Sequence, residues 1–357
     1  MKRRIGIHTL ASVVATIASL STAVAGDQPT PPGGAGSPAA DTGYFQEIVP
    51  VVDGVWLLAE PKFQVQPIGN VTVIEQSDGL VVVDAGASPG SGRRIVDMIR
   101  SISPKPVKAI FITQWHGDKP QGLSELLKAW PAARTIATKT TQAHLSDPKT
   151  MNTPAAPDAT RNAKFVNQQR DIATYLRDLA SKATNEIERD GFDAAARMFD
   201  QYAADVDGAL TLSTEESFAD SIKIDDAKAP VSALFLGRAN TDGDALVWLP
   251  KQKVVIAGET VILPFPYGFG SYPSDWIAVL KKLRAMPFRI LLPGHGQPQH
   301  DRRQIDKIVA ALEDVRTQVG RLVSQGQSLD EVQANVDLSA QQRAFVGDDP
   351  WLGRWFK

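Results

Sequence analysis

The chain has 357 residues, of which 43% are hydrophobic and 22% charged, with a formal net charge of −2. That balance suits a globular protein of one large or two smaller domains, and it lacks the basic stripe that nucleic-acid binding requires. There are no cysteines, so disulfides and thiolate metal ligands are excluded.

Lys2, Arg3 and Arg4 precede the apolar run LASVVATIASLSTAVA, which closes on Ala23-Val24-Ala25. This is the pattern of a signal peptide, with cleavage predicted after Ala25 and export to the periplasm or beyond. An uncleaved anchor is the alternative, disfavoured by the shortness of the run and its Ala, Ser and Thr content. No later stretch is apolar enough to span a bilayer, so no membrane span is expected after cleavage. Residues 26–42 read as a Pro/Gly/Ala linker, predicted to be disordered. Order is expected from Phe45 onward, in a domain covering 43–300.

The segments GVWLLAE, NVTVIEQ and LVVVDAG predict three strands, with Ser77-Asp78-Gly79 as the hairpin turn between the last two. GRRIVDMIRSI spaces Ile95, Met98, Ile99 and Ile102 as an amphipathic helix. KAIFITQ reads as a buried strand, GLSELLKAW as a helix, and RTIATK as another strand. Residues from about 141 to 220 change character. Ile172, Tyr175, Leu176 and Leu179, then Phe192, Ala195, Ala196 and Phe199, recur at helical spacing, which predicts a helical insertion within a sheet-based fold. Strands resume at SALFL, ALVWL and KVVIAG, with a turn at Pro250-Lys251-Gln252. A helix near 274–286 leads to the strand RILLPGHG. A C-terminal helical extension, 301–357, opens with a helix over 302–323. Ser328 and Glu331 then have capping-box spacing, which opens another short helix.

Polar residues collect where these strands end: Asp84 in VVVDAG, His116 and Asp118 in TQWHGDK, Asn240 to Asp244 in NTDGD, Glu259 in AGET and His295 in PGHG. Strand-end loops are where a rigid scaffold presents reactive groups. Imidazoles and carboxylates from several such loops can converge on a metal.

The segments GNVTVIEQSDGLVVVDAGASP, KAIFITQWHGDKPQGL, GRANTDGDALVWLPKQKVVIAGETVI and LLPGHGQP together resemble the metallo-β-lactamase superfamily. The resemblance implies an α/β fold: a four-layer αββα sandwich, here with a helical insertion and the C-terminal extension, and a hydrolytic site at one edge. It also exposes departures. The family loop T-H-x-H-x-D-H is met by Gln114, His116, Asp118 and Lys119. Asn240 stands where a histidine is expected, Glu259 where an aspartate bridges two metals, and His295 is kept. One family metal would be left with Gln114, His116 and Asn240, a poor zinc site. His116, Asp118, Glu259 and His295 remain as ligands for at most one divalent metal, zinc first, with manganese or iron as alternatives.

Lys119 is expected to decide between the possibilities. A protonated ammonium does not ligate a metal, and carboxylates around it would keep it protonated. It could replace a metal as counter-charge to Asp118, Glu259 and Asp84, with Gln114 and Asn240 completing a hydrogen-bonded network. If it points away, the pocket stays open. Two functions follow. One is an exported hydrolase acting on a small ester, lactone or amide, with Asp118, His116 and Lys119 as candidate catalytic groups. The other is a metal-free binding or accessory protein. Either takes a small-molecule ligand, and the oligomeric state is not specified. Among the remaining residues, Asp84 is expected to hydrogen-bond neighbouring backbone, Asp242 and Asp244 to form turns, and His144 and His300 to lie on the surface. Trp115 and Trp248 either line the pocket or pack. The aromatic loop 264–273 either covers the site or is a rigid surface loop.

Overall fold

Strand alternation here separates two kinds of neighbour, a second sheet on one side and helices on the other. The computed structural model describes residues 47–59, 69–147, 159–206, 209–268 and 270–356. The expected signal segment and linker lie outside them. The first sheet runs in the order β1 (Glu47–Val52), β2 (Val55–Ala59), β3 (Val71–Glu75), β4 (Leu80–Val83), β5 (Val107–Phe111), β6 (Arg134–Thr138) and β7 (Glu216–Phe218). β1 to β4 pair antiparallel, β3 to β4 through the predicted turn at Ser77-Asp78-Gly79, and β4 to β7 pair parallel. The second sheet runs β8 (Ser221–Ile224), β9 (Val231–Phe235), β10 (Ala245–Leu249), β11 (Val254–Ile262) and β12 (Ile290–His295). Only its β11–β12 pair is parallel.

Val81 and Val83 of β4 join Val247 and Ile256 of the second sheet in the core between the sheets. Their alternates Leu80 and Val82 join Ile95, Ile99, Leu123 and Leu126 in the outer core, under helices α1 (Pro89–Ile102) and α2 (Leu123–Ala129). Each such side chain contributes about 1.5–3 kcal/mol on burial. Ser88 caps α1 through a reciprocal box with Ser91, and Pro89 starts the helix. Helix α3 (Lys139–Ser146) adds Leu145 to the same layer.

On the opposite side, Leu246, Val255 and Leu291 pack with the helices that follow in the chain. These are α4 (Ala159–Lys182) and α5 (Glu186–Asp205) of the insertion, then α6 (Pro273–Ala285) and α7 (Arg303–Ser324). The result is the helix–sheet–sheet–helix layering that the resemblance implies. Among the described residues no helix is long and apolar enough to cross a membrane.

The C-terminal extension continues through α8 (Leu329–Asn335), with the predicted Ser328–Glu331 capping box, to α9 (Ser339–Val346) and α10 (Pro350–Trp355). Its end docks on the insertion. Trp351 stands edge-on to Phe192 at 4.9 Å between centroids, and Arg354 pairs with Glu188 at 3.3 Å. A Cβ on Gly191 would lie 2.6 Å from the Trp351 ring, so only glycine admits this contact. Trp351→Ala should therefore cost about 3–5 kcal/mol in urea unfolding. A loss within about 0.5 kcal/mol, as for ordinary surface positions, would show that the extension does not hold the insertion.

Candidate functional site

The site lies at one edge of the two sheets, where β4, β5 and β12 end and the β9–β10 loop turns. Asp84 follows β4 with φ of 67°, a conformation uncommon for a non-glycine residue. Its carboxylate holds it there: Oδ1 accepts from Thr113 N at 2.8 Å and from Thr113 Oγ1 at 2.9 Å. This is the backbone-binding role the sequence suggested. Ala85 N donates to Lys119 O at 2.8 Å, and Gly122 N to Gly86 O at 3.1 Å. The loop after β5 is thus fastened along the loop after β4. A Cβ on Gly122 would lie 2.0 Å from Ala85 O, which makes glycine necessary at that contact.

Anchoring of its backbone turns Lys119 inward, and its side chain is completely buried. Nζ lies 2.6 Å from Asp118 Oδ2 and 3.4 Å from Glu259 Oε1. It donates to Gly294 O at 3.3 Å and stands 3.5 Å from His295 Nε2. A Cβ on Gly69 would be 2.1 Å from Nζ, so the chain leaves room for the ammonium by omitting a side chain there. The next residue, Asn70, stitches the His295 loop to the first sheet. Its Nδ2 donates to Pro293 O at 2.9 Å and to Gly296 O at 2.7 Å.

Glu259 is the hub of the site. The sequence placed it in a loop, but it lies inside β11, beside a register shift at Gly258, whose φ is 51°. The bulge re-aims the Glu259 side chain into the site. Glu259 Oε2 meets His116 Nδ1 at 3.1 Å and accepts from Asn240 Nδ2 at 2.8 Å. Glu259 Oε1 accepts from Tyr267 Oη at 3.2 Å and meets His295 Nε2 at 3.3 Å. His295 Nε2 is also 3.1 Å from Asp118 Oδ2 and 2.9 Å from Tyr267 Oη. Two carboxylate oxygens around Nε2 favour the tautomer that carries its proton there. Gln114 Oε1 accepts from His116 N at 2.5 Å.

Charge dominates this arrangement. Burial works against the Lys119 ammonium, but Asp118, Glu259 and Asp84 outweigh it and push its pKa above the usual lysine range. Burial likewise opposes ionised Glu259, yet the Lys119 charge and the His116 and His295 contacts hold its pKa well below the ordinary carboxylate value. His116 is raised: burial opposes its cation and the Glu259 bond overcomes that. Asp84 and Asp244 go the other way, pushed by burial to about 7 and about 6.

Of the eight sequence-predicted residues, Asp84 binds Thr113 in the supporting loop and the other seven fall into two groups. Asp118, Glu259 and His295 present ligand atoms within 4.8 Å of one another, with Lys119 beside all three. His116 and Asn240 gather on the other oxygen of Glu259, with Gln114 on the His116 backbone, so His116 is not part of that cluster. Tyr267, Asn70 and Gly69 were not singled out from sequence. The aromatic loop was noticed, but which of its rings reaches the site is set by tertiary packing, and Phe265 of the same loop lies in the core. His144 lies at the surface as expected, with 34% of its side chain exposed, and it adds contacts the sequence did not indicate: its Nε2 lies 2.9 Å from Asp242 Oδ2 and its ring rests on Trp115 at 4.7 Å. Trp115 Nε1 donates to the same Asp242 at 3.2 Å. Trp248 packs with the helical layer on the second sheet, and His300 is exposed as expected.

Known proteins share this framework. The sequence profile of the metallo-beta-lactamase superfamily matches residues 66–184. A linear primary-alkylsulfatase of Pseudomonas sp. is 24% identical over 305 residues, 80% of this chain and 52% of that protein. The chain therefore spans about half the length of the curated relative it matches. Among solved structures, a metallo-beta-lactamase from Pontibacter korlensis superposes with a TM-score of 0.52 at 15% identity, over 75% of this chain and 99% of that one. The stereoselective inverting sec-alkylsulfatase of Pseudomonas sp. gives 0.54 at 15% identity, over 82% of this chain and 45% of that one. At such identities the likeness speaks to the fold and not to the reaction. Residues 66–184 match the metallo-β-lactamase superfamily profile, and the layered architecture is the fold of that superfamily.

Proposed function

We propose that this protein has exchanged the superfamily's metal centre for a buried ammonium, and that it binds a small molecule without hydrolysing it. The observation that carries this is the position of Lys119 Nζ, at 2.6 Å, 3.4 Å and 3.5 Å from Asp118 Oδ2, Glu259 Oε1 and His295 Nε2. A zinc ion on those atoms would sit about 2.0–2.2 Å from each, in space that Nζ fills, and it would compete for carboxylates with which Nζ is already paired. The residues therefore do not fit a metal while Lys119 stays in place. Gly69 and Gly294 O support it there. The second group offers one imidazole with two amides, a weak zinc site. The basic and apolar N-terminal run supports export, so the ligand would be met outside the cytoplasm.

A hydrolytic reading has its own support in the Asp118–Glu259–His295 cluster and in the alkylsulfatase relative. It would give a one-metal enzyme acting on a small ester, lactone or amide, or on a sulfate ester. It requires Lys119 to leave the cluster. It also asks an anionic ester to approach Asp84, Asp118 and Glu259, against which the site sets Lys119 and His116. Binding of an uncharged ligand fits this balance better.

Purified protein is expected to carry substoichiometric zinc, manganese and iron by elemental analysis, with a Tm that neither chelator nor added zinc shifts. A ligand at a hundred times its Kd would add about 2.7 kcal/mol, so tight metal binding would be plain in such a melt. Stoichiometric metal would move the assignment to the hydrolase. Replacing the two departures in the T-H-x-H-x-D-H loop, Q114H with K119H, should raise zinc affinity measurably by competition with a chromogenic chelator.

Lys119→Met should destabilise by about 3–5 kcal/mol, because it strands buried carboxylates without their cation. Glu259→Gln in the same chain should return part of the loss in a double-mutant cycle. The buried acids give a pH signature of opposite sign to the ion pair. Folded Asp84 and Asp244 hold protons more tightly than their ordinary value of 3.8, so their share of stability falls as pH rises from there toward about 7 and about 6. The share from Glu259 is present above its ordinary 4.5 and is lost as pH falls through its lowered value. Asp84→Asn should flatten the decline between 3.8 and about 7 in denaturant titrations across pH; an unchanged slope would mean Asp84 is ionised throughout.

A further inference from the structure

A cleft of about 350 Å³ lies between α1, α2 and the end of the insertion, a volume in the range of small-ligand sites. Its described lining includes none of the residues gathered around Lys119. Arg93 of α1, Glu125 and Lys128 of α2 and Asp205 of α5 give it two cations and two carboxylates. Packing fixes the carboxylates. A Cβ on Gly92 would lie 2.6 Å from Gly122 O and 3.1 Å from Glu125 Cβ, so the missing side chain lets α1 and α2 close up and sets Glu125 against α1. Asp205 accepts from Ser88 Oγ and rests on Gly90, where a Cβ would collide with its carboxylate. Both acids are largely covered, with side chains 12% and 16% exposed.

The cations are the exposed members, Arg93 at 58% and Lys128 at 70%. Lys128 Nζ is 2.6 Å from Glu125 Oε1, and Arg93 Nη1 is 3.7 Å from the same oxygen. The two cations are therefore no further apart than those distances laid end to end, within reach of a single carboxylate. Arg93 Nη2 is 3.5 Å from Asp205 Oδ1. Charge-assisted hydrogen bonds normally measure about 2.7–2.9 Å, so the guanidinium stands between the two acids without close bonding to either. Its fork of N–H donors is engaged by the described residues through one contact, at that 3.5 Å limit. An approaching ligand meets underused donors and positive charge, while the covered acids hold Arg93 in place. A ligand cation would have to compete with Arg93 and Lys128 for acids they already occupy. Pro89, Ala204 and Leu210 add apolar surface to the same cleft, and Leu210 is 42% exposed.

We propose that this cleft is a second binding site, for a small monocarboxylate with a short aliphatic chain. The carboxylate accepts from the guanidinium of Arg93, whose planar fork matches it, and from the Lys128 ammonium. The chain lies on Pro89, Ala204 and Leu210 and removes their apolar surface from water. The site stands on its own geometry and does not depend on the metal-free reading of the Lys119 centre.

Calorimetric titration with hexanoate, hexanol and hexylammonium, at fixed ionic strength because exposed charges are screened by salt, compares one chain with three headgroups. Hexanoate is expected to bind roughly tenfold more tightly than either of the others, the scale of one hydrogen bond to a charged group. Arg93→Gln combined with Lys128→Gln should abolish that preference. Both positions are exposed, so the double variant is expected to fold with a Tm close to that of the parent, which circular dichroism and a thermal melt establish. Leu210→Ser should weaken hexanoate several-fold, and it serves as the deciding variant if the double variant does not fold. Failure of hexanoate to bind overturns the inference. Equal binding of the three probes does the same, and so does a preference that persists in the folded double variant, which would locate the anion elsewhere. Hexanoate affinity unchanged by Leu210→Ser overturns it as well, because the chain would then lie outside this cleft.

Discussion

A buried ammonium between carboxylates governs the edge where the two sheets meet. Lys119 is carried by the loop after β5 of the first sheet, while Glu259 and His295 belong to β11 and β12 of the second. Their contacts therefore join the two halves of the sandwich. Removing such charges from water costs several kcal/mol per ion, and attraction offsets this only with close geometry and further hydrogen bonds. Much of the surrounding sequence meets that condition. Gly69 omits a side chain, Gly294 turns a carbonyl toward Nζ, and Asn70 fixes the loop that holds Gly294. Alteration of any of these would leave one charge without its setting.

An ammonium brings one positive charge where a divalent metal brings two, and the two also differ in chemistry. The ammonium offers directed N–H donors and no open coordination position, so the site keeps the electrostatic frame of the superfamily with a different capacity. His116 completes the contrast: held by Glu259 Oε2, it too is biased toward its charged form. Asp118 and Glu259 then face two groups biased toward their cationic forms inside a low-dielectric edge, with Asp84 held toward its neutral form by burial. A shared fold with an alkylsulfatase does not by itself carry a substrate to this chain.

The layers were legible in the sequence because each strand states its own burial. LVVV alternates between two apolar environments, and Ser77-Asp78-Gly79 turns the chain between β3 and β4. The Ser328–Glu331 box is also local, and it forms as the spacing says. The members of the site were legible because they sit in a motif, even with Gln114, Lys119 and Asn240 in histidine positions. The direction of the Lys119 side chain was not. It depends on Ala85 and Gly122 fastening the loop and on Gly69 standing far away in sequence, contacts that no local pattern records. Glu259 was misplaced into a loop because a bulge at Gly258 lets a strand present one residue as a loop would. Tyr267 and the contacts of His144 escaped for a related reason: the partners of one ring in an aromatic run, and of one histidine in a polar helix, are set by tertiary packing.

The helical additions bear on this same loop. Tyr202 of α5 is buried and donates to Gln121 Oε1 at 3.3 Å, two residues beyond Lys119. Burial, followed by the charges of Asp118 and Asp205, raises the Tyr202 pKa above the usual phenol range and keeps it a neutral donor. Asp205, at the end of the same helix, accepts from Ser88 Oγ at the start of α1. The insertion therefore touches the chain on both sides of the first site loop, after β4 and after β5. It is itself held by Trp351 against Phe192. A continuous series of packed contacts leads from the C-terminal extension through the insertion to Gln121. In an enzyme of this fold a metal can organise the ligand loops by its own coordination. Where an ammonium stands instead, its bonds are fewer and weaker, and the loop that carries it needs support from behind. The insertion and the extension supply that support, which gives a physical reason for both additions to pack where they do.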